Sequence, residues 1–502
     1  MPSAKRLRKR IAAVRFPILA WQIAAFAAPA TIWPFAALAL AAAPQEGDAQ
    51  QDVGSWDDAS RSALVTALAD RARHGLDRVS FLETQDGASD EAFRAAALRY
   101  ASALSRGMVD PTTLHDPFTL PRAKADLEPA LAGALAGGKL GEWLASLAPQ
   151  DEEYARLSQA YLDLRARPQD SGAAQIGAGG LLTVGDADAR VSAVVEQLIM
   201  GEYLPQDAAA PVDASTEGKL PIFTQQIADA VRALQRDYGI AADGVVGRDT
   251  LGVLNLGAGD RARAIAVALE RRRWLDRTPP ATRIDVNTAA AQLSYFRDGV
   301  LVDTRRVVVG KPGTETPPLQ SPIYRLVANP TWTVPKSIQN GELANVGADY
   351  LQRHNMELRG GWIVQGSGPD NALGLVKFDM QNEHAIYLHD TSAPELFERS
   401  HRHRSHGCVR VEDALGFAQL LADDQKISEA WQAAQAGGEQ QFVALKTPIP
   451  VRLIYRNVFV DADGKVAFRT DPYGWNTPIA RALGFSDRGK ARLRSEDADI
   501  GP

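Results

Sequence analysis

At about Arg283 the spacing of apolar residues changes period, so one type of secondary structure cannot serve both halves of the chain. From Trp56 to about Arg167 apolar residues recur three and four apart, as in "ALVTALADRARHGL" and "EAFRAAALRYASALSRGMV". That is the spacing of helices with one buried face. Gly75 and Gly107 stand where they can close two of these helices. "EPALAGALAGGKLGEWLASL" continues a helical scaffold, in which the isolated His74 and His115 are expected to be structural or solvent-facing. After the loop "AAQIGAGGLLTVGD" a helical pattern returns from Arg190 to Ile199. Beyond Arg283, "RIDVN", "AQLSYF" and "TRRVVVG" alternate or are β-branched, with Asp298-Gly299 as a hairpin turn. "EHAIYLHD" adds a strand ending at His389, and "EDALGFAQLLADD" a helix. "PVRLIYRNVFVDADGKVAFR" reads as a closing hairpin with Asp463-Gly464 at its tip. The expectation is a multidomain α+β chain, with helices first and a mainly β region last.

A length of 502 residues exceeds what a single core supports, so two to four domains are expected. The formal charge of −6 lacks the basic footprint of a nucleic-acid binder. Residues 1–43 combine a basic block (Lys5, Arg6, Arg8, Lys9, Arg10, Arg15) with a long apolar run and small residues at its end. This is a signal peptide or, since the run is long enough to cross a bilayer, an N-terminal anchor in the inner membrane. Either form places the remainder in an extracytoplasmic space. Residues 44–55 read as a polar linker and 483–502 as a disordered tail.

Within "IADAVRALQRDYGIAADGVVGRDTLGVLN", residues 227–255, Val231, Leu234 and Tyr238 share a helix face. Asp243-Gly244 marks a tight turn, and Asp249 or Thr250 can cap a following helix. A helix with a central Gln, then D-G-x-x-G and a Thr, resembles the small three-helix peptidoglycan-binding module, which would occupy 190–257 after a scaffold at 56–189. Residues 258–282 are expected to be a linker helix leading to the last domain at 283–482.

Cys408 is the only cysteine of the chain and sits in "SHRHRSHGCVR". Exported proteins usually hold cysteines in pairs, so a single one stands out. Three roles are open. His401, His403, His406 and Cys408 are ligand types that suit zinc, although structural zinc draws ligand pairs from two separate knuckles and no second cluster exists. A buried thiol without chemistry is the second role. The third is a nucleophile, which needs a base and oxyanion donors. His389 at a strand end can fold back beside the sulfur, with Asp390 orienting its imidazole by carboxylate or carbonyl. Backbone N–H groups around Gly407 can meet an oxyanion.

"YLHDTSAPELFERSHRHRSHGCVRV" resembles the active-site signature of L,D-transpeptidases: a histidine, a gap of about sixteen residues, then [S/T]-H-G-C. "NPTWTVPKSI", "NALGLVKFDMQNEHAIYLHDT" and "DPYGWN" resemble the long periplasmic proteobacterial members. The resemblance implies Cys408 as nucleophile, His389 as general base and acid, and His406 with Gly407 as the backbone of the oxyanion hole. It places Tyr387, Arg410, Ser405 and Trp332 at the substrate, and a substrate cap at about 336–361. It implies no metal and no organic cofactor, acylation by carbapenems, and peptidoglycan stem peptides as donor and acceptor. The expected reaction is a 3→3 cross-link between meso-diaminopimelate residues through a cysteinyl thioester. An L,D-carboxypeptidase, a lipoprotein-attaching enzyme, and an inert wall-binding scaffold that recruits other cell-wall synthases are the alternatives. Where relatives often read Q-P-P-G, this chain has Gln365-Gly366-Ser367-Gly368-Pro369, which predicts a freer loop.

Overall fold

A computed structural model describes residues 56–84, 87–167, 175–208 and 220–486. The expected signal or anchor, the linker 44–55 and most of the tail therefore lie outside the described residues. Among the described residues no helix is long and apolar enough to cross a membrane.

Five helices come first: α1 (Asp58–Ala69), α2 (Asp90–Arg106), α3 (Leu127–Ala136), α4 (Leu140–Leu147) and α5 (Glu152–Ala166). Side-chain caps start three of them, with Asp57 accepting from the Ser60 N–H, Ser89 from Ala92 and Asp151 from Tyr154. Gly75 and Gly107 end their segments at positive φ, as their spacing predicts. α6 (Arg190–Met200), α7 (Gln225–Tyr238) and α8 (Arg248–Leu254) form a second, separate apolar cluster. Val231, Leu234 and Tyr238 do share its buried face.

The helix α9 (Ala258–Trp274) covers the stretch expected to be a linker, yet it packs in the core of the first helical group. Ala262, Ile265, Ala266, Val267 and Leu269 are fully buried, so apolar residues cover more than one face. Its polar residues are buried too. The Glu270–Arg273 ion pair at 2.7 Å has no exposure, and Arg273 also donates to the Tyr154 hydroxyl and the His74 carbonyl. Glu270 accepts from the Val109 N–H and the Trp274 indole. His74 joins this network through Tyr154 at 3.0 Å, and His115 is buried against Trp475.

The β region contains β1 (Arg283–Asn287), β2 (Gln292–Arg297), β3 (Val300–Gly310), β4 (Leu319–Ala328), β5 (Trp332–Thr333), β6 (Met356–Arg359), β7 (Trp362–Gln365), β8 (Val376–Met380), β9 (Leu388–His389), β10 (His403–Ser405), β11 (Val409–Val411), β12 (Gln441–Ile454), β13 (Val458–Val460) and β14 (Val466–Phe468). Asp298-Gly299 makes the β2–β3 hairpin with both φ positive, the conformation that such a tight turn requires. The main sheet runs β10-β3-β11-β9-β8-β4-β12-β1-β2, and β3 also pairs with β2, which closes the row on itself. One face of these strands, including Leu388, Val409 and Val411, shares a core with α12 (Ala414–Asp424) and α13 (Ser428–Ala436).

Two features depart from the hairpin expected at the end. β12 pairs with β1 and β4, and the hairpin is β13–β14 with Gly464 at its turn. The following α14 (Asn476–Ala482) returns Ile479, Ala480 and Leu483 to the helical core around α9. Between β4 and β8 lies an insertion with α10 (Lys336–Asn340), α11 (Ala348–Arg353) and the small sheet β5-β7-β6. Its own core is built on Trp332, Val334, Ile338, Leu343, Met356 and Ile363. The loop expected to be free is pinned. Gln365 donates to the carbonyls of His354 and Asp370 and accepts from the Ala372 N–H, and Ser367 holds the Asn329 carbonyl.

Candidate active site

Parallel pairing of β9 with β11 sets Leu388 against Val409 and His389 against Arg410. Extending that register by one residue puts Tyr387 beside Cys408. Alternation then turns Leu388 and Val409 into the core and leaves Tyr387, His389, Cys408 and Arg410 on the opposite face. Antiparallel β8 adds Lys377 next to His389. Short strands thus bring a tyrosine, a histidine, a cysteine and two cations onto one surface from three stretches of chain.

Cys408 is 6% exposed, and its Sγ lies 3.6 Å from the Ala385 carbonyl. Burial pushes the thiol up to about 11. Hydrogen bonds from the Tyr387 backbone N–H and hydroxyl, and the charges of Lys377 and Arg410, act in the opposite direction. Burial and the adjacent sulfur hold the Tyr387 phenol well above its usual range, so it is a donor at neutral pH. The rings of Tyr387 and His389 meet edge to face at 5.6 Å. The Lys377 ammonium sits 4.2 Å over the Tyr387 ring and pairs with Asp379 at 2.8 Å. His389 is fully buried.

The turn before the nucleophile is tied internally. Ser405, fully buried, donates to the Cys408 carbonyl at 2.6 Å and accepts from the Gly407 N–H at 3.1 Å. Gly407 has φ 118, a conformation that a side chain disfavours, and Thr316 donates to its carbonyl at 2.8 Å. Four of the expected site residues are placed as follows. Ser405 shapes the turn from inside. The Gly407 N–H is engaged with Ser405. Trp332, 1% exposed, belongs to the core of the insertion behind Tyr387. Arg410, also 1% exposed, acts on the thiol by charge from within the fold.

Of the two Asp390 groups expected to orient His389, carboxylate or carbonyl, the carboxylate is engaged elsewhere. Its carboxylate accepts from the Leu375 N–H at 2.9 Å, and burial, partly offset by backbone donors from Leu375 and Thr391, raises its affinity for a proton. Gly374 makes this possible, because a Cβ there would fall 2.3 Å from Asp390 Oδ2. The carboxylate is thus anchored to the backbone of the preceding turn. His406 turns its ring toward the insertion, with Nε2 2.7 Å from Glu342 Oε1. Against burial, which would raise it, the hydrogen bond from His406 holds the Glu342 carboxyl below its ordinary value. Lys377 and Glu342 are the functional candidates that sequence reasoning missed. The alternation in "LVKFDM" could have flagged Lys377 as facing away from the core.

The cluster read as zinc-like diverges. His403 bonds the Thr288 carbonyl at 2.8 Å, His401 faces Asp249, and His406 faces Glu342. Among the described residues no group of three or more metal-ligating side chains converges.

In the three-helix module, buried Gln235 holds the D-G-x-x-G turn. Its amide donates to Asp243, the Val245 carbonyl and Thr250, and its oxygen accepts from the Gly244 N–H at 2.8 Å. Thr250 binds the Val245 carbonyl, and the residue that starts α8 is Gly247, in place of the capping Asp249 or Thr250 expected.

Residues 281–449 match the family model of the L,D-transpeptidase catalytic domain, 37–160 that of a scaffold domain, and 191–254 that of a "Putative peptidoglycan binding domain". A Haemophilus influenzae protein described as a "Putative L,D-transpeptidase" is 30% identical over 220 residues. That match covers 39% of this chain and 45% of the relative, so it spans less than half of the relative's length. A solved L,D-transpeptidase from Xylanimonas cellulosilytica is 16% identical with a TM-score of 0.20, covering 55% of this chain and 99% of that one. One from Stackebrandtia nassauensis is 16% identical with a TM-score of 0.23, covering 54% and 94%. The chain carries an L,D-transpeptidase catalytic domain, joined to a scaffold domain and a peptidoglycan-binding domain.

Proposed function

We propose that this protein forms 3→3 cross-links in peptidoglycan through a thioester on Cys408. The observation that carries the reading is the shared outer face of β9 and β11, where Tyr387, His389, Cys408 and Arg410 stand together. A thiol near 11 is almost wholly protonated at pH 7, so attack requires a base that removes its proton as the bond forms. His389 takes that proton. The sulfur attacks the carbonyl of the third stem residue, a meso-diaminopimelate, and the Tyr387 hydroxyl donates to the developing oxyanion. The bond to the terminal D-alanine breaks, and His389 returns the proton to the leaving amine. An amine of a second stem then attacks the thioester, loses its proton to His389, and restores the thiol. Lys377 and Arg410 favour negative charge on sulfur throughout.

The insertion is the substrate cap in this reading, and the His406–Glu342 contact ties it to the nucleophile turn. The chain works in the periplasm, exported or anchored by residues 1–43. Incubation with tetrapeptide muropeptides tests the reaction. Released D-alanine and a cross-linked dimer are expected from the native chain, with neither from Cys408→Ala. Release without a dimer would mean that water is the acceptor. Full activity of Cys408→Ala would overturn the reading.

A further inference from the structure

Where the peptidoglycan-binding helices meet the β region, a cleft of about 390 Å³ opens. The end of α7, the β1–β2 turn, β3 and the loop before β10 form its walls. Five arginines line it: Arg236, Arg305, Arg306, Arg402 and Arg469. Glu412 is the single acid among the described residues that line it, and it is paired with Arg306. Arg305 is held by Asp303 and Asp413. Arg402 and Arg469 differ, because their hydrogen bonds go to backbone carbonyls: Val307, Arg399 and Ala291 for Arg402, Asp237 and Phe468 for Arg469. Burial and the neighbouring Arg306 pull Arg402 down to about 10, against the opposing charges of Glu412 and Glu398. Arg236, exposed, also lines the cleft.

The cleft is fixed in shape. Tyr238 stacks on Phe468 at 5.8 Å, the Thr470 N–H donates to the Tyr238 carbonyl at 3.3 Å, and His401 lies 4.0 Å from Asp249. Its wall also continues directly into the nucleophile turn. His403, anchored on Thr288, begins β10, and five residues later the chain reaches Cys408. Five residues span at most about 18 Å, comparable to the reach of a short extended peptide.

We propose that this cleft is a subsite for the carboxylates of a peptidoglycan stem peptide, which holds one part of the substrate beside the binding module while another enters the Cys408 site. The proposal rests on peptidoglycan as the substrate. Arginine forks suit carboxylates because two parallel N–H donors match two oxygens. Guanidinium charge in a partly enclosed cleft attracts anions more strongly than the same charge on an open surface.

The test measures binding of a soluble disaccharide-tetrapeptide to the full chain carrying Cys408→Ala, by calorimetry at low and moderate salt. The same peptide with amidated carboxyls and inorganic phosphate serve as controls. At least tenfold weaker binding is expected for the amidated peptide and for Arg236→Glu, with Arg236→Lys within about threefold of the parent. Equal binding of the amidated peptide, or no change in Arg236→Glu, would overturn the subsite. Displacement by phosphate as effective as by the peptide itself would reduce it to a general anion site and overturn the assignment. Release of D-alanine by the native chain reads the reaction separately. Release without cleft binding removes only the subsite, and cleft binding without release supports the subsite while removing the reaction.

Discussion

Two buried polar groups in this molecule look alike by exposure and differ in what they leave open. In the helical core, Glu270 and Arg273 of α9 are fully buried and pair with each other, and Tyr154, Trp274 and two backbone groups bond to them. On the outer face of β9 and β11, Cys408 is nearly as buried, yet its proton is held in place by burial while Lys377 and Arg410 draw toward the thiolate. The first arrangement is closed, with each strong charge cancelled by contact. The second keeps a reactive atom in a state that its neighbours oppose, so a base and a substrate have something to change. Burial of polar groups is common to structure and function, and the balance of partners separates them.

The largest effect that would sharpen this contrast is at His389. His389→Gln keeps the ring's approximate volume and removes the base, so D-alanine release is expected to fall by about 10²- to 10⁴-fold. Unfolding free energy in urea should change far less than activity. A variant that loses stability and activity in parallel would place His389 with the structural group. The converse substitution, Glu270→Ala, leaves Arg273 buried without its carboxylate and should cost about 3–5 kcal/mol in the same denaturant titration. Activity per folded molecule should persist.

The sequence made the common face of Tyr387, His389, Cys408 and Arg410 legible because strand alternation and a short motif carry it. Tyr387 and His389 are two apart on one strand, Cys408 and Arg410 two apart on the next, and the fold needs only their register to bring the pairs together. The peptidoglycan-binding turn was legible for a similar reason, since Gln235, Asp243, Gly244 and Thr250 act within sixteen residues of chain. What escaped depends on distant partners. α9 reads as a charged linker, with Arg271, Arg272 and Arg273 in its last turn, because the groups that satisfy it come from residues as far away as His74, Tyr154, Asn457 and Asn476. Asp390 adjoins His389 in sequence, but alternation and the room left by Gly374 turn its carboxylate to the Leu375 backbone. Ser405 and Gly407 belong to the motif, and their mutual hydrogen bond is a tertiary detail that a motif does not encode.

A smaller effect is expected at the hydroxyl and ammonium that favour the thiolate. Tyr387→Phe removes one donor to sulfur, and Lys377→Met one nearby charge. Hydrogen bonds to charged groups contribute about 1.5–3 kcal/mol, so Tyr387→Phe should slow acylation by a carbapenem roughly tenfold to a hundredfold. Lys377→Met should slow it less. Alkylation by iodoacetamide should shift its midpoint to higher pH in both variants. An unchanged midpoint in Tyr387→Phe would detach that hydroxyl from the sulfur.

The smallest effects are in the pH dependence of stability, and they should run in opposite directions in the two regions. Burial raises Cys408 from about 9 to about 11, so the folded state binds more protons than the unfolded state between those values. The associated stability is fully present below pH 9 and is lost as pH rises through 11. Burial, reinforced by Arg273, lowers His74 from 6.5 to about 3, so there the unfolded state binds more protons. That stability is present above pH 6.5 and is lost as pH falls toward 3. Urea midpoints across this range should show an alkaline decline reduced in Cys408→Ala and an acid decline reduced in His74→Gln, whose amide can still reach the Tyr154 hydroxyl. An alkaline decline unchanged by Cys408→Ala would mean that the thiol is less confined than its burial implies, and the contrast between a closed and an open polar core would lose its second half.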